Sequence, residues 1–385
     1  MGEGGTPVPA SRIPEYFATL ERQGISINFG TYFSETQARV AVLGRSARAP
    51  SAAELDRMRA IMDTAMRAGA MGMSTALIYP PSSYATTAEL VEVAKAAAPL
   101  GGIYASHIRG EGKEVVQAVG EAIAIGERAG MPVEVFHLKV AYQPGWGILM
   151  DSVRAEIEAA RARGVDVAAD MYVYTAGGTG LEATIPSWAH EGGADSLRAR
   201  LANPAIRARL KNEITTGSPG WWNIIEAAGG WDGIVLVNAR NPANKKYENK
   251  TIAQIAKEMG KDPADAAFDL VSQGQERVMA IYHSKPRRDS RGELGRRHHL
   301  RSRSTPGQSD LRESDGVCDR DRVGAREWQD HHRSRPTHRG KNGTGAARAG
   351  VRVYPEHRQH LSIRFDGRCY YYFPYDRLRP NTALP

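Results

Sequence analysis

Four strand-like stretches begin near residues 72, 102, 133 and 166, at intervals of 30, 31 and 33 residues. Each is followed by a segment whose apolar side chains recur at helical spacing. A strand-then-helix unit repeated at that period points to parallel strands joined by crossover helices, so the expected class is α/β. No Gly-rich dinucleotide loop follows any of the strands. That favours a (β/α)8-type barrel over an open, doubly wound sheet.

Within this repeat, the expected strands 102–109 and 132–139 carry His107 and His137, which are the only histidines in residues 1–189. They stand one strand-plus-helix unit apart, so the ends of neighbouring parallel strands bring them side by side. Such folds place their chemistry at that end. Alone, a histidine near a strand end is an ordinary hydrogen-bonded residue. A matched pair is a candidate for half of a metal site, because neutral imidazole is a favoured zinc ligand. Arg109 and Lys139 each follow a histidine by two residues, on the same face if the strand continues. Cations there suit a substrate carboxylate, although a solvated strand-end charge is the simpler alternative.

The rest of residues 1–283 reads as follows. A helix is expected over 11–23, ending at Gly24, then a strand over Ile25–Phe29 and a loop to Pro50. Ser51 and Glu54 form a capping box for a helix running to Gly69, whose methionines are core packing. Thr87 caps the next helix. Helices are expected over 147–163, 193–212, 251–259 and 263–273, the last begun by Asp262-Pro263, and strands over 234–237 and 278–282. The glycine-rich stretch 173–181 fits no Walker pattern. It reads as a loop, able at most to cradle an anion on backbone N–H groups.

The charge divides the chain at residue 284. Residues 284–385 hold 23 Lys and Arg against 12 Asp and Glu, whereas residues 1–283 hold 28 against 31. The basic segment has 21 Arg but only 11 Leu, Ile and Val, and no sustained period. Such a composition buries little core, so 1–283 is expected as the barrel domain and 284–385 as a largely disordered, Arg-rich tail. A tail of this kind attracts phosphates by charge alone, but it has no nucleic-acid fold or zinc-finger spacing, and nucleic acid is not the expected partner. A shifted reading frame in a G+C-rich gene explains the composition better. Finding no β/α pattern in the other two frames after codon 283 would sink that idea. No run reaches the roughly 18–20 apolar residues that span a bilayer, the N-terminus is not a signal peptide, and two cysteines make no disulfide framework. A cytoplasmic protein with no membrane partner is the expectation.

Several blocks, in order and without a large gap, resemble the N-acyl-D-amino-acid deacylases (D-aminoacylases) of the amidohydrolase superfamily. They are Gly72-Met-Ser-Thr-Ala-Leu-Ile-Tyr-Pro-Pro, Tyr104-Ala-Ser-His-Ile-Arg, His137-Leu-Lys, Asp170-Met-Tyr-Val-Tyr-Thr-Ala-Gly-Gly-Thr-Gly-Leu, and Asn244-Lys-Lys-Tyr-Glu-Asn-Lys-Thr. The resemblance implies a zinc-bearing barrel that hydrolyses the linear amide of a small-molecule N-acyl-D-amino acid to a carboxylate and a free D-amino acid. It implies that His107 and His137 bind the tight zinc, and that Lys139 and Tyr172 (less so Tyr174) hold the substrate carboxylate; the spacing argument adds Arg109 as a substrate-binding cation.

The chain departs from the family pattern in places. The first-strand His-x-His pair and the zinc-binding cysteine would belong upstream of Met1, so the chain is expected to be the middle of a longer enzyme. The late Gly-Ser-Asp aspartate has no counterpart at a matching position, since Ser314-Asp315-Gly316 reads as chance. The catalytic proton carrier is therefore unassigned. Phe136 stands where the family usually has a small polar residue, and Gly178 where it often has serine. Two ligands can be placed, of the roughly three that a catalytic zinc site needs. The alternatives are a non-catalytic barrel remnant whose basic tail binds nucleic acid, and another amidohydrolase such as a cyclic amidase.

Overall fold

The structure, a computed structural model, describes residues 9–283 apart from 173 and 274–276, together with the backbone of 363–365 and 368–370. Its first part alternates strands and helices. After α1 (Ile13–Gln23) come β1 (Phe33–Ser34), α2 (Glu35–Leu43), α3 (Ala52–Arg67), β2 (Gly72–Ala76), α4 (Thr87–Ala94) and β3 (Ile103–His107). Then follow α5 (Val115–Ala129), β4 (Val133–Val135), α6 (Leu149–Ala162) and β5 (Val167–Ala169). The five strands form one parallel sheet in the order β1-β2-β3-β4-β5, so chain neighbours are sheet neighbours throughout.

Register decides which side chains face which way. Met73 pairs with Tyr104, Tyr104 with Val133, and Val133 with Val167. These four belong to a core shared with Met58 and Met62 of α3, Leu90 of α4 and Ile123 of α5. Alternate residues of a strand point to the opposite face, so Ser74, Ala105, Glu134 and Ala168 make up the other row. Tyr32 and Phe136 belong to that second face by the same parity. Their rings meet edge-on at 5.9 Å although β2 and β3 lie between their strands. Close approach explains one glycine in this packing. A Cβ on Gly126 of α5 would lie 2.1 Å from Val133 Cγ2, so the helix sits directly on β4.

A second region follows. It holds β6 (Gly177–Gly180), α7 (Ala194–Leu201), α8 (Pro204–Thr216), α9 (Ile224–Ala227), β7 (Ile234–Asn238), α10 (Ile252–Met259), α11 (Pro263–Ser272) and β8 (Met279–Tyr282). Its sheet runs β6-β8-β7 and is antiparallel, over a core that includes Leu236, Ile255 and Leu270. In the tail, β9 (Ile363–Phe365) and β10 (Arg368–Tyr370) pair antiparallel. The expected disorder of the rest of 284–385, and Ser314-Asp315-Gly316, lie outside the described residues.

Several expectations need correction. Ile25–Phe29 forms no strand. Its alternation looks half-buried, but Ile25, Ile27 and Phe29 are each about 40% exposed, and Phe29 only rests edge-on against Tyr16 and Phe17. The expected loop to Pro50 contains β1 and α2. The helix escaped notice because its buried side includes Glu35 and Arg39, which break the apolar period. Arg39 and Glu89 form a fully buried ion pair, and Arg39 also donates to the Arg48 carbonyl at 2.7 Å. Glu35 accepts from Ser82 Oγ at 3.2 Å. Burial and the nearby Glu89 charge push the Glu35 pKa up to about 8, against the opposing pull of Arg39.

Other local signals hold with small shifts. The Ser51–Glu54 capping box is formed, but the cap of α4 is Thr86 rather than Thr87. Asn203-Pro204 divides the expected 193–212 helix, because Asn203 caps α8 with its side chain and Pro204 occupies the first turn. The glycine-rich stretch, expected as a loop, contains β6 at Gly177–Gly180, in the ladder with β8.

Candidate metal centre

The C-terminal ends of β3 and β4 carry the candidate site. His107 is the last residue of β3. His137 lies two residues beyond β4, with φ at 42°, in the left-handed region. The two rings face each other edge-on, with centroids 4.4 Å apart and His107 Nδ1 2.8 Å from His137 Nε2. Two unprotonated imidazole nitrogens cannot share a hydrogen bond, so that pair either shares one proton or addresses a cation.

Glu111 completes the cluster, and the sequence reading missed it. It lies in the loop after β3, between Gly110 and Gly112, where no periodicity marks it. Its Oε1 is 3.1 Å from His137 Nδ1 and 3.9 Å from His107 Nε2. Among the described residues, His107, Glu111 and His137 are the group whose ligand atoms all lie within 4.8 Å of one another. Two imidazoles and a carboxylate are a donor set that zinc accepts, with room for a fourth ligand. His107 Nε2 is buried with no hydrogen-bond partner, as suits a group awaiting another ligand. Burial, outweighing the attraction of Glu111, holds the His107 pKa well below its ordinary value, so the ring is neutral and able to ligate.

Lys139 is buried and ion-paired with Glu111, and its Nζ lies 3.1 Å from His137 Nδ1. Burial opposes the Glu111 charge, but Lys139 and the histidines outweigh it and hold the carboxylate below its usual range. Two tyrosines flank the histidines. The Tyr79 ring is 5.5 Å from that of His107, and its hydroxyl shares a 2.8 Å hydrogen bond with Thr179 of β6. The Tyr172 ring is 6.3 Å from that of His137 and 5.5 Å from Lys139 Nζ. A Cβ on Gly177 would come within 2.9 Å of the Tyr172 hydroxyl, so a glycine of β6 makes room for this ring. Tyr174 is 60% exposed at the margin.

Arg109 is turned elsewhere. Strand β3 has ended before it, and its guanidinium donates to Glu121 of α5 and to the carbonyls of Ser83 and Ala85. It braces α5 against the turn before α4 and adds no charge beside the histidines.

No family model matches the chain. It is similar to D-aminoacylase of Alcaligenes xylosoxydans xylosoxydans, 37% identical over 182 residues, which are 47% of this chain and 37% of that protein. The N-acyl-D-glutamate deacylase of the same organism is 38% identical over 189 residues, 49% of this chain and 38% of that one. Among solved structures, N-acyl-D-glutamate deacylase from Bordetella bronchiseptica, crystallised with zinc and a phosphonate inhibitor, matches with a TM-score of 0.53 and 29% identity. The match covers 71% of this chain and 47% of that one. A crystal structure of D-aminoacylase matches at the same TM-score and 28% identity, with the same coverage. The chain thus spans less than half the length of these relatives. Over the matched residues its parallel β/α region has the fold of part of an amidohydrolase barrel, and there the chain is similar to N-acyl-D-amino-acid deacylases.

Proposed function

We propose that this chain carries the metal-binding part of a zinc-dependent hydrolase. Its reaction would cleave the linear amide of an N-acyl-D-amino acid to a carboxylate and a free D-amino acid. The observation that carries the reading is the cluster of His107, Glu111 and His137 at adjoining parallel strand ends, in a chain whose relatives bear the names of deacylases acting on such substrates. His107, His137 and Glu111 hold the zinc. A zinc held by these residues would supply Lewis-acid polarisation of an amide carbonyl and activation of water near neutral pH. Lys139, released from Glu111 as the metal takes that carboxylate, would offer its ammonium to the substrate carboxylate. The rings of Tyr79 and Tyr172 limit water at the two sides of the histidine pair.

The test uses the full chain. Zinc per chain is measured after dialysis against a weak chelator, then hydrolysis of N-acetyl-D-amino acids against their L enantiomers. About one retained zinc, with D-selective release of free amine, supports the proposal. No retained zinc, or turnover indifferent to zinc, rejects it.

A further inference from the structure

We infer that Asp170 is a positioning residue for this centre: its carboxylate fixes the left-handed backbone step at His137 that turns the imidazole onto His107. The inference rests on the metal reading above and adds a residue that touches none of the reacting groups.

Main-chain hydrogen bonds bracket the step on both sides. Phe136 N–H donates to the Ser106 carbonyl of β3 at 2.9 Å, Asp170 N–H to the Val135 carbonyl at 3.1 Å, and Leu138 N–H to the Asp170 carbonyl at 2.7 Å. Between them the chain leaves the ladder, and the His137 N–H finds a side chain instead, donating to Asp170 Oδ1 at 2.6 Å. A φ of 42° is sterically costly for a residue with a Cβ and persists only where surroundings enforce it. Asp170 supplies that enforcement twice, through its carbonyl at Leu138 and its carboxylate at His137. The ring so placed brings Nε2 to 2.8 Å from His107 Nδ1. Asp170 lies outside the group of candidate ligands, so it acts through His137.

The experiment compares zinc affinity, by competition with a chromophoric chelator, in the full chain and in Asp170→Asn, Asp170→Ala and Asp166→Asn. Asp166 is an exposed carboxylate on the same segment and controls for lost charge. Loss of a group that orients a metal ligand typically weakens binding about 10–100-fold. Asp170→Ala is expected in that range, Asp170→Asn nearer tenfold, and Asp166→Asn unchanged. A purely structural role would lower the urea midpoint of the metal-free protein and leave the zinc affinity of the folded fraction alone. Should Asp170→Ala fail to fold, Asp170→Asn, which keeps the size and an acceptor oxygen, carries the test. Wild-type zinc affinity in the folded Asp170 variants overturns this inference alone. No zinc on the wild-type chain overturns the metal reading and this inference with it.

Discussion

The parallel region and the antiparallel region each enclose a core, but they treat polar groups differently. Around β1 to β5, charged and polar side chains are drawn inside: Arg39 with Glu89, Glu35 with Ser82, Lys139 with Glu111. Around β6 to β8, ion pairs stay nearer the surface, as with Arg207, Asp265 and Asp269, whose side chains are 13–23% exposed. The histidines repeat the contrast. His107 and His137 face each other at strand ends, whereas His190 is a buried single residue whose Nε2 lies 3.2 Å from the Ile185 carbonyl. A buried polar group must be satisfied by a partner, because desolvation is costly otherwise. For His190 in the second region the main chain supplies that partner. For His107 and His137 in the first, side chains do, and they leave ligand atoms pointing at one another.

The largest effect should separate the histidines. His107→Ala with His137→Ala is expected to remove all retained zinc, while His190→Ala keeps it and loses about 1–3 kcal/mol of stability through the unpaired carbonyl and the cavity. Zinc lost equally in both, by elemental analysis of folded protein, would erase the distinction.

Next come the ion pairs. Arg39→Met strands the Glu89 charge in the core and is expected to cost about 3–5 kcal/mol. Arg207→Met, at a partly exposed network, should cost about 1 kcal/mol or less. Urea denaturation measures both, and equal costs would mean that burial is not what sets the regions apart.

A pH profile sharpens the same point. Because the folded-state pKa of Glu35 is raised to about 8, the folded chain holds a proton that the unfolded chain releases above its ordinary carboxylate pKa. Glu35 therefore contributes fully only below that ordinary value, and the contribution is lost as pH rises toward about 8. Glu35→Gln, which mimics the neutral form, should flatten this loss and raise the melting temperature by several degrees near about pH 8, with little change near about pH 4. The same slope in the variant would rule Glu35 out as its source. The smallest effect is local: Ser51→Ala breaks a formed capping box and should cost about 1 kcal/mol in thermal unfolding.

Legibility followed the same division. Strands β2 to β5 and their helices were readable because each unit repeats locally, and the paired positions of His107 and His137 followed from that period. Glu111 was not readable, since a loop residue between two glycines has no spacing to betray it. Asp170 stood in a quoted block, but its hydrogen bond to His137 joins residues 33 apart and exists only in three dimensions. Arg109 misled because the two-residue alternation assumed that β3 continues, and it stops at His107. The antiparallel pairing of β6 with β8 links residues about a hundred apart, beyond any local pattern, and α2 was hidden by the charges it buries.

The contact between Lys139 and Glu111 has a thermodynamic side. A buried carboxylate without a countercharge is a desolvation load on a metal-free fold, relieved when the cation arrives. Here an ammonium already neutralises it, so loading becomes an exchange of one cation for another. The metal-free chain should then be as folded as the loaded one, and added zinc should raise its melting temperature only with the logarithm of free zinc over its dissociation constant, with no folding transition at the first equivalent.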